Sequence, residues 1–401
     1  MSGAPEPADT RPPDHTDVLV VGGGIHGAGV LQAAAAAGHD GLLLEEQDLA
    51  RGTSSRSSKL IHGGLRYLES AQFSLVRESL AERAILLKTA PHLVRLVPFL
   101  IPIYRQTSRR PWQIRLGLSL YSVLGGLHAD TRFEAVSRDE WSSLDGLSTD
   151  GLQAVFRYWD GQTDDGALVR AVVASARELG AQALRGATFL SAQPDDRGWR
   201  VRYRHQGLER ECSSRVLVNA GGPWVDRVQA LIDPPPPSPP IELVAGTHVE
   251  VPGTVQHGIY YTEAPRDRRA VFVMPWKGHT LVGTTEQPFS GDPAEVQPTE
   301  GEVEYLLETL AAYFPEHSTE RLDAWAGLRV LPRGKGRAFD RPRDVTLICD
   351  DRRRPRCVAI YGGKLTGYRS TAERVLEQLG GALPSATARA DTKTLVLPPP
   401  E

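Results

Sequence analysis

The chain has 401 residues, 40% of them apolar and 24% charged, with a formal net charge of -3. This is the make-up of a soluble globular protein large enough for two domains, or for one domain with a large insertion. The faintly acidic balance excludes a general nucleic-acid binder, which presents a basic surface. Cys212, Cys349 and Cys357 form no CxxC pair, so neither a zinc site nor a disulfide framework is expected and a reducing compartment fits.

Residues 1–15 are polar and proline-rich and read as a disordered lead, not a signal peptide, because they hold no apolar core. No run of about 18 apolar residues follows, so the expected location is the cytoplasm, or at most the inner face of the cytoplasmic membrane. Asp17-Val-Leu-Val-Val21 is a short strand rich in β-branched residues, followed at once by Gly22-Gly-Gly24. An alanine-rich helix from Val30 to Ala37 stops at Gly38, and Gly41-Leu-Leu-Leu-Glu45 supplies a second parallel strand. Together they make a β-α-β unit of about 30 residues, the size of a dinucleotide-binding half.

Residues 73–89 space their apolar side chains for a helix. From Pro91 to His128 the chain mixes apolar runs with Arg105, Arg109, Arg110, Arg115 and Trp112. That stretch reads either as a shallow membrane-binding surface or as a packed pair of amphipathic helices. A helix over 167–180 precedes strands at 186–191, 199–205 and 215–219, and the proline run Asp233–Pro240 is a stiff linker. Residues 241–331 are strand-rich and broken by a helix over 300–314. Strands at 345–349 and 357–361, the turn Gly362-Gly-Lys-Leu-Thr366 and a helix from about Tyr368 to Leu379 complete the pattern.

Gly22-Gly23-Gly24-Ile25-His26-Gly27 is a GxGxxG turn between a strand and a helix. Its glycines allow the tight turn, the approach of backbone to a pyrophosphate and the close packing of helix on strand. The helix N-terminus offers free N–H groups to the phosphates, and Glu45 stands at the end of the second strand, where a carboxylate accepts from ribose hydroxyls. Two further features favour FAD over NAD. Thr53-Ser-Ser-Arg-Ser-Ser-Lys59 follows the ribose position with hydroxyls and N–H groups, and Val216-Leu-Val-Asn-Ala-Gly-Gly222 ends a strand in small residues that admit a cofactor.

Residues 16–397 resemble the FAD-dependent glycerol-3-phosphate dehydrogenases of the D-amino-acid-oxidase-like superfamily. The likeness rests on Asp17–Gly29, Thr53–Glu69, Thr163-Asp-Asp165, Leu217–Trp224, Gly246-Thr-His248, Val271–Trp276, Gly283-Thr-Thr285, Ala326-Gly-Leu-Arg329 and Gly362–Thr366. It implies an α/β fold: a Rossmann-like FAD-binding domain of the glutathione-reductase/D-amino-acid-oxidase type with an interleaved antiparallel-sheet substrate domain. The expected division assigns 16–90, 160–232 and 325–397 to the FAD-binding domain. Residues 91–159 and 241–324 go to the substrate domain, with 233–240 as linker. Family members commonly carry a further helical domain, and this chain stops at Glu401 without one. The implied reaction oxidises sn-glycerol 3-phosphate to dihydroxyacetone phosphate and passes electrons to a quinone or similar acceptor. The alternative is another hydroxy-phosphate, phosphonate or amino-acid substrate.

The resemblance implies cofactor contacts from Gly22, Gly24, Ile25, Gly27, Glu45 and Glu46, then Thr53, Ser54, Ser55, Ser58, Lys59, Leu60 and Ile61. Ala220, Gly221, Gly363, Lys364, Leu365 and Thr366 complete them. Oxidising a secondary alcohol also needs a proton acceptor and cations for the distal phosphate. Arg329 and Lys364 are expected to touch substrate, with Arg66 and Arg343 completing the anion pocket. Arg329 also counts among the catalytic residues. His248 and His62 compete for the base, with His248 preferred because a neutral imidazole on the substrate domain suits proton abstraction. His26 is expected to line the pocket without catalysing.

Overall fold

The computed structural model describes residues 12–333 and 344–399. Its first strand, β1 (His15–Val21), is apolar on both faces because it lies inside a parallel sheet. It starts at His15, one residue inside the expected disordered lead. Helix α1 (Ile25–Ala36) returns the chain to β2 (Gly41–Glu45), which pairs in parallel with β1 through Val20↔Leu43. Every residue of α1 except His26 is buried. Its run of alanines and glycines is the reason: a side chain at Gly29 would meet the Tyr368 ring, its Cβ 2.7 Å from Cδ2.

The first sheet continues outward from β1 on both sides. Strand Leu208–Asn219 lies on one flank, followed by Cys357–Tyr361 and Thr346–Cys349, with β2 and then Gln182–Arg185 on the other. The second sheet is mostly antiparallel and contains Val94–Tyr104, Leu152–Thr163, Ile241–Val251 and Asp323–Pro332. Helices α2 (Phe73–Thr89), α3 (Pro111–Leu124), α4 (Asp165–Glu178), α5 (Val225–Ala230), α6 (Glu300–Tyr313) and α7 (Tyr368–Leu379) surround the two. The proline run 233–240 carries the chain from the first sheet to the second.

The second sheet runs across the expected division. Residues 325–332, expected in the FAD-binding domain, belong to Asp323–Pro332, which pairs along its whole length with Ile241–Val251 in the second sheet, Ala245 facing Leu328. Leu60-Ile61 and Asp160–Thr163, expected in the same domain, pair with each other's strands in the second sheet. The stretch 91–128 is not a pair of helices: Val94–Tyr104 is an interior strand, and only α3 is helical.

Candidate active site

A cavity of about 750 Å³ opens between the two sheets, the size range of small-molecule and cofactor sites. Its floor is the glycine turn. Gly22 sits at φ +109°, and a Cβ there would come within 2.6 Å of the Ala220 oxygen, so only glycine suits the position. The Glu45 carboxylate accepts from Gly23 N at 2.7 Å and Gln47 N at 2.8 Å. Burial raises its pKa, while those two donors pull the other way. Asn219 fixes the neighbouring turn by accepting from Gly221 N at 3.1 Å and donating to Val225 O at 2.8 Å.

The loop after β2 folds over the start of α1. Ala50 N donates to Gly23 O at 2.9 Å, and Ser54 Oγ accepts from Ile25 N at 3.0 Å. The same loop is fastened to the second sheet, where Thr53 Oγ1 donates to Leu328 O at 2.6 Å and Arg56 to Ala326 O at 3.2 Å. A cradle of close-set backbone with the Glu45 carboxylate at the end of β2 fits a dinucleotide such as FAD. Gly22, Gly24, Ile25, Glu45, Glu46, Thr53, Ser54, Ser58, Leu60, Ala220, Gly221, Gly363, Leu365 and Thr366 all border the cavity.

Four of the expected cofactor or anion residues do not border it. Gly27 packs behind the turn against Gly22 and Ala220. Ile61 is fully buried in the sheet, and Ser55 also stands off the lining. Arg66 lies behind Tyr67, its guanidinium 5.9 Å from that ring. Lys59 is a fifth, and its role differs from the expected one. It is buried, bonds Asp165 at 2.7 Å, and lies between Trp276 and Trp325, 5.3 and 5.7 Å from their ring centres. The pair joins the loop before Leu60-Ile61 to the first residue of α4. Arg343 lies outside the described residues.

At the other end of the cavity stand His62, His248, Arg329 and Lys364. His62 N donates to Thr366 Oγ1 at 3.1 Å, which ties the segment after Leu60-Ile61 to the glycine-lysine turn. The His248 ring stacks on Trp325 with centroids 6.0 Å apart, and its Nε2 lies 3.1 Å from Ser58 Oγ. Burial first, then the charges of Arg329 and Lys59, lower its pKa to about 3, so the imidazole is neutral at any working pH. Arg329 is steadied by Glu286 Oε1 at 3.2 Å. His26 borders the cavity against Gly363, its pKa lowered to about 4 by burial and by Arg374.

Tyr67 is the residue that sequence reasoning missed. Its ring borders the cavity with the Lys364 ammonium 3.8 Å from its centre and Arg66 on hand as a second cation. Its place beside Arg66 in the Thr53–Glu69 motif was the signal available. The arrangement joins a dinucleotide cradle to a neutral histidine and two cavity-facing cations, which is the equipment for oxidising an anionic alcohol.

Residues 17–369 match the family described as FAD dependent oxidoreductase, DAO. The D-erythritol 1-phosphate dehydrogenase of Brucella abortus (strain 2308) is 37% identical over 381 residues, covering 93% of this chain and 75% of the relative. The glycerol-3-phosphate dehydrogenase of Pseudomonas aeruginosa (strain PAO1) is 39% identical over 380 residues, covering 90% and 71%. Among solved structures, the glycerol-3-phosphate dehydrogenase from Bacillus halodurans complexed with FAD superposes with a TM-score of 0.73. It is 27% identical, over 96% of this chain and 68% of that one.

Proposed function

The chain belongs to the DAO family of FAD-dependent oxidoreductases, and from that premise we propose that it oxidises sn-glycerol 3-phosphate to dihydroxyacetone phosphate. The observation that carries the reading is the pair of cations, Arg329 and Lys364, in the same cavity as the neutral His248 and the dinucleotide cradle. FAD supplies the hydride acceptor when bound. The residues of the chain do the rest. Arg329 offers a planar fork and Lys364 a point charge to the phosphate, which holds the carbinol carbon in one place. Nε2 of His248, beside the Ser58 hydroxyl, is the nitrogen suited to take the hydroxyl proton. An amino-acid substrate would use one cation for its carboxylate and leave the second idle. Electrons then pass to a quinone or similar acceptor.

A second reading keeps this chemistry with a four-carbon polyol phosphate, and the relative named D-erythritol 1-phosphate dehydrogenase favours it. One experiment separates the two. The purified holoprotein is mixed with each compound without oxygen, and the flavin band is followed. Bleaching by glycerol 3-phosphate at the lower concentration is expected. Bleaching by erythritol 1-phosphate alone selects the second reading, and bleaching by neither overturns both.

Membrane contact belongs to the same proposal. Among the described residues no helix is long and apolar enough to cross a membrane. Helix α3 nevertheless turns Trp112, Leu116 and Val123 to solvent at 65, 63 and 59% exposure, with Leu127 just beyond it at 61%. Arg110 and Arg115 are exposed beside them, whereas Arg109 is committed to Glu69 and Glu263. An apolar stripe flanked by arginines suits the interface of an anionic bilayer. The protein should sediment with anionic vesicles, and Trp112→Ala with Leu116→Ala should lower that binding about tenfold. Equal sedimentation of the variant would remove α3 from the contact.

A further inference from the structure

His62 and Tyr67 line the cavity, and the segment that carries them is held in part by groups that lie outside it. Gly63 N donates to the Tyr121 hydroxyl at 2.9 Å, and that hydroxyl donates to Asp160 Oδ2 at 2.6 Å. Asp160 Oδ1 accepts from Arg83 at 2.8 Å, and Arg83 reaches Asp130 at 2.7 Å. Tyr121, Asp160 and Arg83 are at most 1% exposed, and they come from α3, the strand Leu152–Thr163 and α2. Unpaired charges are costly at such depth, so the pairing of Arg83 with Asp160 and Asp130 and of Asp160 with Tyr121 fixes these groups closely. It reaches toward the cavity through the peptide N–H that follows His62. The residue there is glycine because a Cβ at Gly63 would run into the Tyr121 oxygen and the Leu80 side chain.

We propose that Tyr121 is a positioning residue: through its hydrogen bond to Gly63 N it sets the His62 peptide, and with it the reach of His62 into the cavity. The inference rests on the reading that this cavity is the active site. His62 is then held from two sides, by Thr366 Oγ1 on its own N–H and by Tyr121 on the next. Burial and the Asp160 charge push the Tyr121 hydroxyl well above its ordinary pKa, so it stays protonated and keeps donating to Asp160. Arg329 and Lys364 stand on other segments and do not depend on this contact.

The test compares Tyr121→Phe with Leu118→Ala, the latter equally buried on α3 at 1% exposure but without a hydrogen bond to the segment. Both holoproteins are followed for flavin content, melting temperature, the visible spectrum of the bound flavin, and kcat and KM. Tyr121→Phe should lower kcat at least tenfold and perturb the flavin spectrum, with KM within about twofold. Leu118→Ala should lower the melting temperature and leave kcat and spectrum alone. Loss of activity in both variants in step with melting temperature would reduce Tyr121 to a packing role and overturn the inference, as would an unchanged Tyr121→Phe. Should Tyr121→Phe not fold, Asp160→Asn, which keeps an acceptor for the hydroxyl, is put through the same measurements. A kcat loss larger than its melting temperature accounts for, with a perturbed spectrum, supports the inference, and the absence of both overturns it. Failure of the proposed reaction itself appears separately, as a wild-type flavin that no polyol phosphate bleaches, and the spectral comparison still reports on Tyr121.

Discussion

A Gly27→Ala protein should emerge from purification nearly colourless, its flavin content down at least about a hundredfold under dilution. Gly27 lies in the first turn of α1 and faces the carbonyl of Gly22, so that an added Cβ would be driven into that oxygen and against Ala220. Nothing at that point is the flexible end of a side chain. The helix must instead lift off β1, and overpacking of this kind costs about 1–3 kcal/mol even where side chains can yield. Lifting α1 also displaces Gly22–Ile25, which border the cavity, and parts Ile25 N from Ser54. Cofactor affinity and fold stability should therefore fall together. Gly301→Ala on α6 is the comparison, since a Cβ there meets nothing within 4 Å and alanine favours the helix. Absorbance of flavin per mole of protein and a thermal melt decide the matter. A yellow Gly27→Ala protein with an unshifted melt would mean that the close contact of helix and strand is not what holds the cradle.

The same glycine turn shows how far the sequence could be read. A strand of β-branched residues, three glycines and an alanine helix are local features, and the fold kept each where local physics puts it. The hydroxyl-rich loop at 53–58, expected to line a dinucleotide, lies over the start of α1 with Thr53, Ser54 and Ser58 bordering the cavity. The failures share one cause, which is a partner far along the chain. Val97–Tyr104 is an unbroken apolar run because this part of the strand is buried between neighbouring strands, and such a run has no periodicity to tell strand from helix. Asp323–Pro332 joins the second sheet because its mate, Ile241–Val251, lies some 80 positions upstream. Lys59 looks like a ligand in its motif until Asp165 closes on it. Arg83, Tyr121 and Asp160 show no pattern at all, since three scattered polar residues become a network only when two helices and a strand converge.

The largest loss of turnover should come from His248→Ala, with kcat reduced about a hundredfold or more, as for other general bases, and flavin content unchanged. The imidazole is 1% exposed and its second nitrogen, Nδ1, is buried without a hydrogen-bond partner. Burial with Arg329 and Lys59 nearby holds its pKa at about 3. A base so disfavoured as a cation needs help when the proton arrives. On the proposed reaction the substrate phosphate would provide it by neutralising Arg329, one of the two charges that lower the pKa. Turnover should then drop steeply in His248→Ala with glycerol 3-phosphate, while binding of inorganic phosphate stays within about twofold, because the cations remain. The pKa also makes a stability statement whose sign is fixed. The folded value lies below the unfolded value of about 6.5, so between pH 3 and 6.5 the unfolded chain binds more protons. Stability is full above about pH 6.5 and is lost as pH falls toward 3. His26, lowered to about 4, acts in the same direction and stays in the variant. His248→Gln, which fills the site without titrating, should therefore lose less of its melting temperature between pH 7.5 and 5 than the wild type does. Equal acid sensitivity in both proteins would show that the ring is not held neutral by burial, and unchanged turnover in His248→Ala would hand the base to His62.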